Sequence, residues 1–351
     1  MIKTDIIIIG AGPAGLFAVF EAGLLKLRCH LIDTLPKPGG QCFELYPKKP
    51  IYDIPGHPEI LAADLVKNLL NQCSQFQPGF TLGERAEKIS KNSKGLFTVV
   101  TDKGTTHQAP VVAIAGGLGG FKPRKPIINN IESYEEKGVS YFIKDPSLYK
   151  NKNVLIAGGG DSALDWTIEL ANIASNVTLI HRKNEFRGTL DSVEKVQELK
   201  NKNKIKLITP AEVVSLMGDD KLKSVEIKIE NSKNITLDVD CFIPFFGLTP
   251  KLGPINDWGL EIEKKSIKVD NTLNYQTNVP GIFAIGDINT YPGKLKLILC
   301  GFHEAAMMCH SAYKIINPDK KLVLKYTTVS GVIGFDGSIK KAQPPIKKSI
   351  D

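Results

Sequence analysis

The chain carries one pattern twice: a short apolar strand, a cluster of glycines, then an apolar helix. The first copy is Ile6-Ile7-Ile8-Ile9, then Gly10-Ala11-Gly12-Pro13-Ala14-Gly15, then a helical stretch over residues 16–25. The second is Asn153-Val154-Leu155-Ile156-Ala157, then Gly158-Gly159-Gly160-Asp161-Ser162-Ala163, then an apolar helix over 164–174. A continuous apolar run bounded by glycine reads as a strand buried on both faces, as in a parallel sheet. Each copy runs on into another short strand, over 29–32 ending at Asp33 and over 177–180 ending at His181-Arg182. Two such βαβ units, starting at Gly10 and Gly158, predict an α/β fold with two Rossmann-like, three-layer dinucleotide-binding domains.

The glycines have separable duties. Gly10 permits the tight turn, Gly12 lets backbone approach a pyrophosphate, and Gly15 lets helix and strand pack closely. The helix start supplies unpaired N–H groups and the positive end of the dipole for phosphates; Pro13 and Ala14, at that start, are counted with the candidate FAD site. Asp33 follows Gly15 by 18 residues (33 − 15) and has the acceptors that a ribose diol needs. At the second turn (Gly158, Gly159, Gly160, Asp161, Ser162, Ala163) the matching strand ends in cations instead, His181 and Arg182, with Arg187 five residues on. Guanidinium forks match phosphate oxygens, so this end suits a 2′-phosphate that a carboxylate would repel. The expectation is FAD held in the first domain and NADP(H) visiting the second, with the flavin supplying the chemistry.

Further extended stretches are expected at 95–101, 111–115, 205–208, 225–229, 241–245 and 281–285, with helices over 61–75 and 302–315. Apolar residues are 42% and charged residues 23% of 351, which excludes disorder and collagen-like or coiled-coil chains. No apolar run reaches the length of about 20 residues that a membrane span needs. A basic region followed by a small-residue cleavage site, the mark of a secretory signal, is also absent. Six scattered cysteines without a C-x-x-C read as reduced thiols of a cytoplasmic protein. The net charge of +8 is compatible with nucleic acid, acidic lipid or an acidic protein. The lysines seldom interleave with aromatics, so no nucleic-acid partner is expected. A solvated basic surface is the plainer reading unless a site uses the charge. Lys340, Lys341, Lys347 and Lys348 around Pro344-Pro345 read as a tail.

Near the C-terminus stands Gly281-Ile282-Phe283-Ala284-Ile285-Gly286-Asp287. With the two glycine turns, this segment resembles the two-dinucleotide-domain flavoproteins that include thioredoxin reductase. The resemblance covers nearly the whole chain. It implies that Asp287 binds the ribityl chain, that Gly39-Gly40-Gln41 and Tyr46 wrap FAD with Tyr46 against its ring, and that Ala86, Phe121 and Thr328 touch it. It also implies that Ala113-Ile114-Ala115-Gly116-Gly117 leaves the FAD domain. The expected domains are 1–118 plus 278–351 for FAD, discontinuous in sequence, and an inserted 119–277 for NADPH.

Thioredoxin reductases carry a C-x-x-C just before the second glycine turn; here the stretch reads Gly138-Val139-Ser140-Tyr141-Phe142-Ile143-Lys144-Asp145. Disulfide chemistry needs an attacking thiolate and a second, resolving thiol. Without them electrons must leave straight from the flavin, which resembles the thioredoxin-reductase-like branch of ferredoxin–NADP reductases. That resemblance implies hydride transfer from NADPH to the flavin, then single-electron steps to ferredoxin or flavodoxin. It implies no catalytic side chain, a homodimer, and a C-terminal extension over the flavin, with Tyr326 where the branch often stacks a histidine. Two alternatives stay open: an NADPH-dependent reductase of a small disulfide or quinone, and a non-catalytic FAD/NADP(H)-binding regulator.

Overall fold

The computed structural model describes residues 1–120, 122–249, 251–322, 327 and 331–340; Phe121, Tyr326, Thr328, Lys341, Lys347 and Lys348 lie outside them. The chain forms two compact units, Met1–Gly120 with Lys251–Asp351, and Phe121–Pro250. Its helices with described bounds are α1 (Pro13–Leu24), α2 (Gly40–Glu44), α3 (Ala62–Ser74), α4 (Asp161–Leu170), α5 (Leu190–Asn201) and α6 (Ile298–Ile316). Among the described residues no helix is long and apolar enough to cross a membrane.

The first unit is three layers deep. Its middle is a five-stranded parallel sheet in the order Ile282–Ala284, Val111–Ile114, Ile6–Ile9, Cys29–Asp33, Gly79–Leu82. The central strands are buried residue for residue, which explains their unbroken apolar sequence. Helix α1 packs against α3 and α6 on one face. A Cβ at Gly23 would run into the Phe76 ring, so glycine there sets how closely α1 is covered. The opposite layer is a four-stranded sheet, Ile2–Lys3, Thr106–Ala109, Phe97–Thr101 and Ala86–Lys91, whose Phe97 and Val99 join the same core. Between the sheets, Thr81 Oγ1 bonds His30 Nε2 at 2.8 Å and His107 Nε2 at 2.9 Å.

The second unit repeats the plan at smaller scale. Its parallel sheet runs Lys206–Ile208, Asn176–Ile180, Asn153–Ala157, Cys241–Pro244, and α4 and α5 pack together. An antiparallel sheet of Ala211–Met217, Ser224–Ile229 and Ile235–Asp238 closes the core through Ala211, Val225 and Ile227 against Leu155, Ile180 and Phe242.

The α/β fold class is as expected. The return to the first unit is at Lys251, not 278. Leu252, Ile255, Trp258, Leu260 and Ile267 are all in the first unit's core, and the Trp258 indole donates to the Glu87 carbonyl. Strand Ser266–Lys268 pairs with Asn289–Thr290. Apolar residues scattered through short turns carry no period, so the sequence hid where this segment packs. The antiparallel sheets and α5 were also unforeseen.

Candidate functional site

In the first unit, the Ile6–Ile9 strand delivers the chain to Gly10 at φ +110°, a conformation that favours glycine. A Cβ at Gly15 would run into the Gly10 carbonyl oxygen and lie 3.4 Å from Ile8 Cγ2. Gly15 therefore serves close helix–strand packing, as expected. Gly12 is the N-cap of α1 with no side chain capping it, and Pro13 follows in the first turn. Gly40, at φ +56°, faces Gly12 so closely that a Cβ there would lie 3.1 Å from Gly12 Cα. A helix start with bare backbone on both sides is a cradle that any side chain would fill, and it fits a pyrophosphate.

Asp33 ends the neighbouring strand and closes this turn. Its Oδ2 accepts from the Ala11 N–H at 2.6 Å and its Oδ1 from the Leu35 N–H at 2.9 Å. Burial pushes its carboxyl up, opposed by these backbone bonds. The Thr34 N–H adds to these bonds, and a carboxylate with about four acceptor sites still keeps capacity for a hydroxyl. Asp33 is thus the clasp of the loop as well as a candidate partner for the ribose.

Helix α2 brings Gln41 beside Gly117, where a Cβ would lie 3.2 Å from Gln41 Nε2. The Tyr46 hydroxyl stands 3.8 Å from the Cys42 thiol. Burial holds the Tyr46 phenol well above its ordinary range, and the nearby Asp287 charge adds to this. Burial also pushes up the Asp287 carboxyl, against Lys294 and Lys296. Gly40, Gln41 and Tyr46, and the distant Asp287, are thus gathered around the first turn. Ala86 is buried in the core at the start of its strand.

In the second unit, Gly158 has φ +157°, and a Cβ there would lie 2.7 Å from the Phe245 carbonyl oxygen. Gly159 is pressed against the His181 ring, and Gly160 caps α4 over open space. The Arg187 N–H donates to the Gly159 carbonyl at 2.6 Å, and Asp161 Oδ1 accepts from the Thr189 N–H at 2.8 Å. These bonds fold the loop that carries Arg187 back over the glycine turn. Ser162 is exposed and Ala163 buried in the first turn of α4.

The turn opens on a cavity of about 480 Å³ whose wall carries Arg124, Lys125, Arg182 and Arg187, with Glu212 the one carboxylate lining it among the described residues. Lys125 is bound to Glu135 at 2.5 Å. Among the described residues neither Arg182 nor Arg187 has an ion-pair partner, so both are available to an anion. His181 also lines the cavity and stacks on Phe186, with ring centroids 5.5 Å apart. Burial, then Arg187 and Arg182, push its imidazole down, so it is uncharged at neutral pH. Arg124 and Lys125 carry no sequence signal: they lie well before the Asn153–Ala157 strand that leads to the second glycine turn, and no motif marks them.

Sequence reasoning also missed Glu304, Lys294, Tyr291 and Asn289, which are bonded together beside Asp287. A signal for Glu304 was present. The buried face of α6 runs Gly301, Glu304, Ala305, Met308, Cys309, Ala312, placing an acid on the core stripe of an apolar helix.

One glycine turn closed by a carboxylate and another faced by guanidinium groups define an α/β protein that takes two different nucleotides. The chain belongs to the pyridine nucleotide-disulphide oxidoreductase family, which matches residues 4–313. It is 69% identical over 350 residues, the full length of both chains, to the ferredoxin–NADP reductase of Flavobacterium johnsoniae. It is 68% identical over 353 residues, again spanning both, to ferredoxin–NADP reductase 1 of Christiangramia forsetii. Among solved structures it resembles Lactococcus lactis thioredoxin reductase, at 26% identity and a TM-score of 0.77, over 90% of this chain and 100% of that one.

Proposed function

We propose that this chain is a ferredoxin–NADP reductase, an enzyme that moves electrons between NADP(H) and ferredoxin through FAD. The observation that carries the reading is 69% identity over the whole length to a ferredoxin–NADP reductase, in a chain that keeps both glycine turns. Bound FAD supplies hydride exchange on one side and single-electron exchange on the other.

The chain's own residues bind and orient. In the first unit Gly10, Gly12, Pro13, Ala14 and Gly15 offer backbone to the pyrophosphate, and Asp33 offers its spare acceptors to the ribose. Gly40, Gln41, Tyr46, Ala86 and Asp287 complete the flavin site, with Phe121 and Thr328 assigned to it on resemblance alone. In the second unit Gly158, Gly159, Gly160, Asp161, Ser162 and Ala163 receive the NADP(H) pyrophosphate. Arg182 and Arg187 take the 2′-phosphate, and uncharged His181 supports the turn from beneath. The flavin unit is residues 1–120 with 251–351, and the NADP(H) unit is 121–250.

No thiol here is built for a sulfur relay. All six cysteines are free, and burial pushes the Cys42 thiol, which also feels the Asp287 charge, up to about 11. The +8 charge suits an acidic carrier, ferredoxin or flavodoxin, through electrostatic steering. A cytoplasmic homodimer remains part of the proposal, supported by the thiols and by the family resemblance. The deciding assay mixes the purified protein with NADPH, ferredoxin and cytochrome c. Ferredoxin-dependent cytochrome reduction, slowed by added salt, is the expected result; turnover only with a disulfide or a quinone would replace this reading.

A further inference from the structure

The least economical feature of the first unit is a buried ion pair. Lys294 Nζ meets Glu304 Oε1 with side chains 5% and 0% exposed. Burying two charges usually costs more than an apolar pair of similar volume, so such a pair is poor evidence for stability. What it holds is specific. Glu304 Oε2 accepts from the Gly286 N–H at 2.7 Å and from Asn289 Nδ2 at 2.9 Å. Oε1 accepts from the Tyr291 hydroxyl at 2.9 Å as well as from Lys294. Four donors fill the carboxylate's capacity. Asn289 Nδ2 also reaches the Ala284 carbonyl at 2.8 Å.

The bonded residues bracket Asp287. Gly286 before it sits at φ +76°, and Asn289 lies two positions after it. Gly286 is also where α6 and α1 meet: a Cβ there would lie 3.3 Å from Ala14 Cβ, and one at Gly301 would lie 3.4 Å from Gly286 Cα. One carboxylate on α6 thus fastens both sides of the Asp287 turn while that turn rests on the start of α1.

We propose that Glu304 and Lys294 are positioning residues for the flavin site: the carboxylate sets the Gly286–Ile288 turn so that Asp287 meets the hydroxyl-bearing chain of FAD, and the ammonium keeps that carboxylate from adding uncompensated negative charge beside an anionic cofactor. The inference rests on Asp287 belonging to the flavin site. It also accounts for a lysine buried beside a carboxylate in a unit whose nearest ligand carries a pyrophosphate.

Removal of Lys294 leaves a buried acid with no counter-ion. The other titratable groups around it are Asp287 on the turn, Tyr275 and Tyr291 from adjoining segments, Lys296, and Cys300 and His303 on α6. An unpaired buried carboxyl takes up a proton at a higher pH than usual. In Lys294→Met, FAD affinity should therefore fall as pH rises and Glu304 ionises.

The test strips the full-length protein of FAD and measures FAD Kd from pH 6 to 9, with apo-protein melting recorded in parallel. Wild type should be flat with pH. Glu304→Gln, which places an amide donor against donors, should weaken FAD roughly tenfold or more. Lys294→Met should show affinity declining with pH, and Glu304→Gln/Lys294→Met, with no carboxyl left at position 304, should lose that decline. A merely structural pair would lower apo-protein stability in all three variants without a pH-dependent Kd. Asp287→Ala separates the two layers of the argument. A weaker Kd there beside an unchanged Kd and flat profile in Lys294→Met overturns the positioning role alone. An unchanged Kd in Asp287→Ala overturns the flavin assignment and this inference with it. Should Glu304→Gln fail to fold, the profile of Lys294→Met decides.

Discussion

The two glycine turns share a plan but differ in two places, and each difference has a physical use. Gly10, Gly12 and Gly15 correspond in spacing to Gly158, Gly160 and Ala163. At the third position the first unit has no room for a methyl group, because α1 lies against the Gly10 carbonyl; the second accommodates Ala163 with its Cβ 2.9 Å from where a Gly158 Cβ would sit. At the strand end the first unit has a carboxylate locked onto backbone N–H groups, whereas the second has Arg182 and Arg187 facing a cavity. A closed, bonded turn suits a group held permanently. A turn beside cations with no ion-pair partner among the described residues suits a phosphate that comes and goes.

The largest test of this contrast is Gly15→Val. Backbone oxygen cannot yield as a side chain can, so the cost should exceed about 4 kcal/mol. Loss of soluble, FAD-retaining protein is expected; a normally yellow, stable variant would break the comparison at its tightest point.

Next come Arg182→Ala and Arg187→Ala. Removing one charge-assisted hydrogen bond to phosphate should cost about 1.5–3 kcal/mol, raising the KM for NADPH and leaving that for NADH nearly unchanged. Equal effects on both would remove the 2′-phosphate role from the second turn.

A third test separates the units by pH. Burial and the neighbouring His107 push His30 down to about 4, and burial lowers His107 as well. The unfolded chain binds these protons near 6.5, the folded chain only at lower pH. For His30, stability is therefore full above 6.5 and falls as pH drops toward about 4, at up to about 1.4 kcal/mol per pH unit, and His107 acts in the same direction. FAD release on acidification should track this fall, and His30→Asn should flatten it. An unaltered slope in that variant would place the acid sensitivity elsewhere.

The smallest expected effect is Ala163→Gly, about 1 kcal/mol from helix propensity. NADPH binding should survive it, which measured KM values can check.

Much of this was legible beforehand because the informative residues are close in sequence. Strand, glycines and helix follow one another within a span where apolar runs and turn residues have direct local meaning. Gly15 was readable because its role depends on a neighbour five residues away. Arg182 was readable because it follows directly on the strand after the turn, and Arg187 because it lies only five residues further on. The domain boundary was not, since residues 251–277 join the first unit through scattered apolar contacts with no period. Arg124 and Lys125 share a cavity wall with Arg182 and Arg187 across almost sixty positions, and no local pattern announces that.

Local order along the chain thus settled the fold class, the two glycine turns and the sign of charge at each, because these follow from what adjacent residues can and cannot do sterically and electrostatically. Folding in three dimensions decided which distant groups converge: the carboxylate of Glu304 beneath Asp287, the clasp that Asp33 makes on Ala11, and the four cations around one cavity. Such convergence is a matter of packing between elements, and hydrogen bonds and ion pairs act only at distances that the packed chain creates.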